Sequence, residues 1–155
     1  MATTLDDTGT RGLWANIALP VAAVVIGNAI IFGLGAARSD LTPAQQQWVP
    51  PGAVVGSVWV VLFALLGMSR WLYLRGGGRG GRSWLPAWLA LLGLAFPVYT
   101  GLFTDSGLGA AGTAVTLAAT VAVMLAMGRR VPAAAWAILP MACWLGYVAC
   151  VYFLA

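Results

Sequence analysis

The side chains with the most chemical character in this sequence are aromatic. Trp48, in Trp48-Val49-Pro50-Pro51, is followed by Trp59 and Phe63 inside a long apolar run. Indole and phenyl rings present flat, polarisable faces, and a ring pair contributes about 0.5–1.5 kcal/mol beyond its area burial. The chemistry on offer is the holding of a flat apolar molecule. Trp59 and Phe63 are four residues apart, Phe96 and Tyr99 three, Trp144 and Tyr147 three. On a helix each of these spacings puts both rings on one face. Faces that converge beneath the Trp48 loop line a cavity; faces that meet pairwise only pack helices together. Spacing leaves both readings open.

Bond-breaking chemistry finds little support. The charged residues are eight Arg and four Asp, with no Lys, Glu or His. No imidazole is available to ligate haem iron or zinc, and no Lys to form a Schiff base. No nucleophile–base pair, carboxylate dyad or metal-ligand cluster can be assembled, which argues against an ordinary hydrolytic or metal-dependent enzyme. No cofactor is required by these residues. Cys143 and Cys150 lie on one expected helix, roughly 10 Å apart along its axis, too far to bridge each other.

The elements that must position the rings are membrane spans. Of 155 residues, 61% are hydrophobic and 8% charged, a composition far outside the soluble range. Five segments approach the roughly 20 residues that a bilayer core demands: about 13–37, 52–74, 84–103, 108–128 and 132–154. The apolar runs are continuous and lack strand alternation, so the expected fold is all-α, a polytopic five-transmembrane-helix bundle. Residues 1–12 read as a short disordered tail and 13–155 as one domain. Pro51 suits the first turn of its helix, where the missing N–H would go unpaired anyway.

Five spans put the termini on opposite sides. Arg11, Arg70, Arg75, Arg79, Arg82, Arg129 and Arg130 then share one side, and Arg38 stands alone on the other. That bias predicts a cytoplasmic N-terminus, with the C-terminus and the Trp48 loop extracytoplasmic. The formal charge of +4 is absorbed by this topology, and no nucleic-acid partner is expected. Trp14, Trp71, Trp84 and Trp136 read as interfacial anchors. The glycine-rich stretch 76–81 reads as a flexible linker. Small residues recur on span 1 (Gly27, Ala29, Gly33, Ala37) and span 4 (Gly109, Gly112, Thr113, Thr116, Thr120). They suit either internal packing or a homodimer.

Trp48-x-Pro50-Pro51-x7-Trp59-x3-Phe63 resembles the signature of the TspO/MBR family, tryptophan-rich sensory proteins related to the mitochondrial translocator protein. Pro140 and Trp144 are similar to the Pro and Trp, four apart, of that family's fifth helix. The chain departs from the family pattern at Phe96 and Tyr99, where an Asn and a Trp are usual, and at Met141 after Pro140. The resemblance implies five helices and a pocket using Trp48, Pro50, Pro51, Trp59, Phe63, Phe96, Tyr99, Pro140, Trp144 and Tyr147, less polar than is usual. It also implies a ligand of the protoporphyrin or haem class, in some members a sterol, handled by a sensor or carrier. Some members are linked to light-dependent porphyrin degradation. A membrane scaffold role without a ligand is the remaining alternative.

Overall fold

The computed structural model describes residues 4–33, 41–98, 100 and 106–154. Among these the chain is helical, with no strand. The helices are α1 (Thr10–Gly33), α2 (Pro43–Gln46), α3 (Gly52–Arg75), α4 (Leu85–Pro97), α5 (Ser106–Gly128) and α6 (Pro132–Leu154). Four of them, α1, α3, α5 and α6, are long and apolar enough to cross a membrane.

The third expected span is shorter as a regular helix. α4 covers 13 residues, about 20 Å at 1.5 Å per residue, and ends at Pro97. Pro97 has no N–H to continue the ladder, and Val98 and Thr100 follow in wider, π-type turns. The Thr100 hydroxyl donates to the Phe96 carbonyl at 2.8 Å. Residues 101–105 of that span, and Tyr99 with them, lie outside the described residues, as do Arg38 and Asp40 in the first loop.

The helices close into a ring in the order α1, α3, α6, α5, α4 and back to α1, with α3 also touching α4 across it. The core lies along α3, where Trp59, Leu62, Phe63, Leu66 and Tyr73 are buried against Leu89, Ile138, Met141 and Leu145. Gly67 decides the closest approach. A Cβ there would stand 2.0 Å from the Asn16 carbonyl oxygen, so only glycine lets α1 and α3 cross at this depth. On α5, Thr113, Thr116 and Thr120 are fully buried, each hydroxyl donating to the carbonyl four residues earlier at 2.7–2.8 Å. That small-residue face therefore serves internal packing. The corresponding residues Ala29 and Gly33 of α1 remain exposed.

Three expectations differ from the fold. Part of the expected N-terminal tail has helical structure. Thr4–Asp6 form a short 3-10 turn, and α1 begins at Thr10, because Leu5, Asp6 and Gly9 supply acceptors to side chains of α3. Trp71 is no interfacial anchor: its ring is buried and its Nε1–H donates to the Gly9 carbonyl at 3.1 Å. The glycine-rich linker is a defined turn, with Gly77 and Gly80 at positive φ and the Gly77 carbonyl accepting from Arg130 at 2.9 Å.

Candidate functional site

Where α2 sits, the first loop is shaped by a capping box and drawn onto α6 by two hydrogen bonds. Thr42 caps α2 and Gln45 returns the bond, a reciprocal capping box that fixes the short helix. Gln45, itself buried, donates through Nε2 to the Tyr152 carbonyl near the end of α6, at 3.2 Å. The Tyr147 hydroxyl donates to the Trp48 carbonyl. Pro50 and Pro51 then turn the chain into α3 without needing backbone donors, and the Pro51 carbonyl accepts from Val54 and Val55.

Below this loop is a cavity of about 560 Å3. It falls within the roughly 300–1,000 Å3 usual for small-molecule sites. Pro50, Pro51, Trp59, Phe96, Trp144 and Tyr147 line it. The Trp59 ring is 7% exposed, edge-on to Phe63 at 6.0 Å and tilted against Phe96 at 5.2 Å. Trp144 and Tyr147 pair at 5.6 Å on α6. The Nε1–H of Trp144 is buried without a hydrogen-bond partner. Leaving a buried donor unpaired costs about 1–3 kcal/mol, so an acceptor brought to it would bind with gain.

Three of the ten expected residues are placed differently. Trp48 contributes its carbonyl to the loop tie, while its ring is 59% exposed and lines none of the cavity. Loop position alone could not foretell this, because the bond to Tyr147 spans 99 residues of sequence. Phe63 is fully buried one turn below Trp59, where it walls a different cavity. Pro140 faces an outer groove between α3 and α6. Tyr99 is outside the described residues.

Other lining residues escaped the aromatic pattern. Asn28 and Phe32 come from α1, Gln46 and Val49 from the loop, Thr100 from the wide turns after α4, and Val148 and Tyr152 from α6. Asn28, a lone polar residue in an apolar span, is the one of these that its sequence context marks out. Asn28, Gln46 and Thr100 put polar groups into a mostly apolar wall. No acidic or basic side chain is among the described lining residues.

The separation from the second cavity depends on α4. A Cβ on Gly93 would lie 3.2 Å from both the Trp59 and Phe63 rings. Its absence lets the two rings press against the α4 backbone and form a partition.

No individually curated protein matches the chain. A family model, that of the TspO/MBR family, matches residues 17–154, which takes in every described lining residue and nearly the whole length. The match spans the loop, α3 and α6 together rather than a single motif, and the chain belongs to the TspO/MBR family.

Proposed function

We propose that this multi-pass membrane protein binds a flat, largely apolar ligand of the tetrapyrrole class, protoporphyrin or haem, in the cavity beneath the first loop, as a sensor or carrier. The observation that carries the reading is the cavity of about 560 Å3 whose wall includes Trp59, Phe96, Trp144 and Tyr147 under a tied-down loop. Broad ring faces supply the burial, and the unpartnered Trp144 Nε1–H supplies an orienting donor for a carbonyl or carboxylate on the ligand rim.

In this reading α4 and the wide turns after it make the fifth membrane crossing. The arginine-rich end, where α1 starts, α3 ends and α6 starts, lies at the cytoplasmic surface by the bias of charge. The first loop and its cavity then open on the other side.

Titration of the detergent-purified protein with protoporphyrin, followed by tryptophan fluorescence, tests the proposal. One saturable site per chain is expected. Gly56→Leu, which adds a side chain to the cavity wall on α3, should weaken it about tenfold or more. Trp144→Phe, which removes the free donor and keeps most of the ring, should weaken it less. Saturable binding unchanged in both variants would place the ligand elsewhere.

A further inference from the structure

A second cavity, of about 320 Å3, lies at the opposite, arginine-rich end between α1, α3 and α4. Leu19, Ala23, Leu66, Ala87 and Leu94 make its wall almost wholly apolar. Leu19, Trp88 and Leu91 border it and are each more than half exposed, so it opens sideways between α1 and α4 to whatever surrounds the bundle. Its lining runs from Phe63 to Arg70 on α3, seven residues or about 10 Å at 1.5 Å each. These residues outline a short slot with a lateral opening.

Arg70 closes the inner end of this slot. The residue is 4% exposed, and its guanidinium stacks over the Trp84 ring at 4.1 Å. Nη1 donates to the Leu5 carbonyl and, at 2.6 Å, to Asn16 Oδ1. Nη2 donates to Asp6 Oδ1 at 2.9 Å. On the same edge as Nη2, the Nε–H is buried and has no partner. A carboxylate favours an arginine edge of this kind because both of its oxygens can be bonded at once. Asp6 takes one donor of the fork and leaves the other. Its side chain is 39% exposed, whereas the cation it meets is buried, so of the two partners the acid is the one that water already reaches.

The geometry points to a second ligand site, for a single-chain fatty-acid-class carboxylate, whose alkyl chain fills the α1/α3/α4 slot and whose head displaces Asp6 from Arg70. Asp6, at the tip of the Thr4–Asp6 turn, is the built-in occupant of the head position. Exchange keeps the buried cation paired throughout, which avoids the large cost of leaving it alone. The incoming group additionally satisfies Nε. A volume of about 320 Å3 has room for one alkyl chain, which favours a free acid over a two-chain phospholipid. This site stands apart from the first-loop cavity, separated from it by the Trp59–Phe63 partition against Gly93.

Equilibrium binding of radiolabelled dodecanoate to the full chain in phosphatidylcholine nanodiscs, with empty discs subtracted, tests the inference. One saturable site per chain is expected. Methyl dodecanoate, equal in chain but uncharged, should compete about tenfold more weakly or worse, in line with the loss of a charged hydrogen-bond pair. Asp6→Asn, a change at a half-exposed position, should tighten binding several-fold by removing the internal competitor. Ala87→Phe, which fills the slot without touching Arg70, should abolish saturable binding. Equal competition by the ester overturns the proposal, as does Asp6→Asn binding no tighter than the parent. Undiminished binding to a folded Ala87→Phe variant, or full displacement when the discs contain phosphatidylglycerol at the same mole ratio, also overturns it, the latter in favour of a two-chain acidic lipid.

Discussion

The two ends of the bundle solve the same problem, keeping space open among packed helices, with opposite chemistry. Beneath the first loop the wall is aromatic and uncharged, and the loop is held by neutral hydrogen bonds from Gln45 and Tyr147. At the other end the wall is mostly aliphatic, with Phe63, Trp84 and Trp88 among it, and the closing element is an N-terminal turn held to a buried cation. Neutral bonds at an exposed loop are each worth about 0.5–1.5 kcal/mol, so that lid is easily loosened. A buried arginine cannot be left alone at comparable cost, and its closing segment opens only when another anion arrives. The lesson is that closure by a charge selects what can open it, whereas closure by neutral bonds selects little.

Substitutions can break this contrast or sharpen it. The largest effect is expected from Gly67→Val, which puts a side chain where the Asn16 backbone lies 2.0 Å away. Neither backbone can yield, so overpacking of about 3 kcal/mol or more should separate α1 from α3 and remove the Arg70 end altogether. Thermal unfolding in detergent reads it, and an unshifted transition would mean that the helices cross less closely than described.

Arg70→Met comes next. It removes the arginine's bonds to Asn16 Oδ1, the Leu5 carbonyl and Asp6, a loss of about 1–3 kcal/mol, while the Leu5 carbonyl keeps the bond from Asn16 Nδ2 at 2.9 Å. Limited proteolysis should then cut near Asp6 well before the bundle melts. Unaltered protection of the N-terminal turn would show that the Asn16–Leu5 and Trp71–Gly9 bonds hold it without the arginine.

Gly93→Ala is expected to cost about 1 kcal/mol, because the Trp59 and Phe63 rings must retreat by a few tenths of an ångström. Since both cavities meet at those rings, it should alter tryptophan emission and weaken ligands at both ends. A change confined to one end would show that the partition yields on that side alone.

The smallest effect belongs to Tyr147→Phe, which loses only the bond to the Trp48 carbonyl. Amide hydrogen exchange over residues 46–49 should rise while the global melting temperature holds within the effect of about 1 kcal/mol. A large drop in melting temperature would make the loop part of the folding core rather than a lid.

Much of the fold could be read before any coordinates. Spans 52–74, 108–128 and 132–154 differ from the observed helices by a residue or two, because an apolar run of bilayer length leaves the backbone little alternative to a helix. Pro51 and Pro132 mark helix starts for the steric reason expected of proline. The rings of the site were less legible. Trp59, Phe96, Trp144 and Tyr147 meet at one cavity, but Trp48 and Phe63, equally aromatic and equally near the motif, do not line it. A ring's identity reports that it can pack, and only its neighbours report what it packs against.

What the amino-acid sequence determined alone was the class of the molecule. Its apolar runs fixed helices, its arginines gathered at one end, and its Trp48-Val49-Pro50-Pro51 and Trp59 pattern matched a family that the whole-chain comparison then showed. What tertiary structure decided was which residues face empty space and which face each other. Arg70 looked like one more topological charge, yet it is a buried cation bonded to residues 54, 64 and 65 positions earlier. Helix formation and membrane insertion depend on side chains summed along a short stretch. Cavities and buried pairs depend on the crossing of distant backbones, here set by the missing side chains of Gly67 and Gly93.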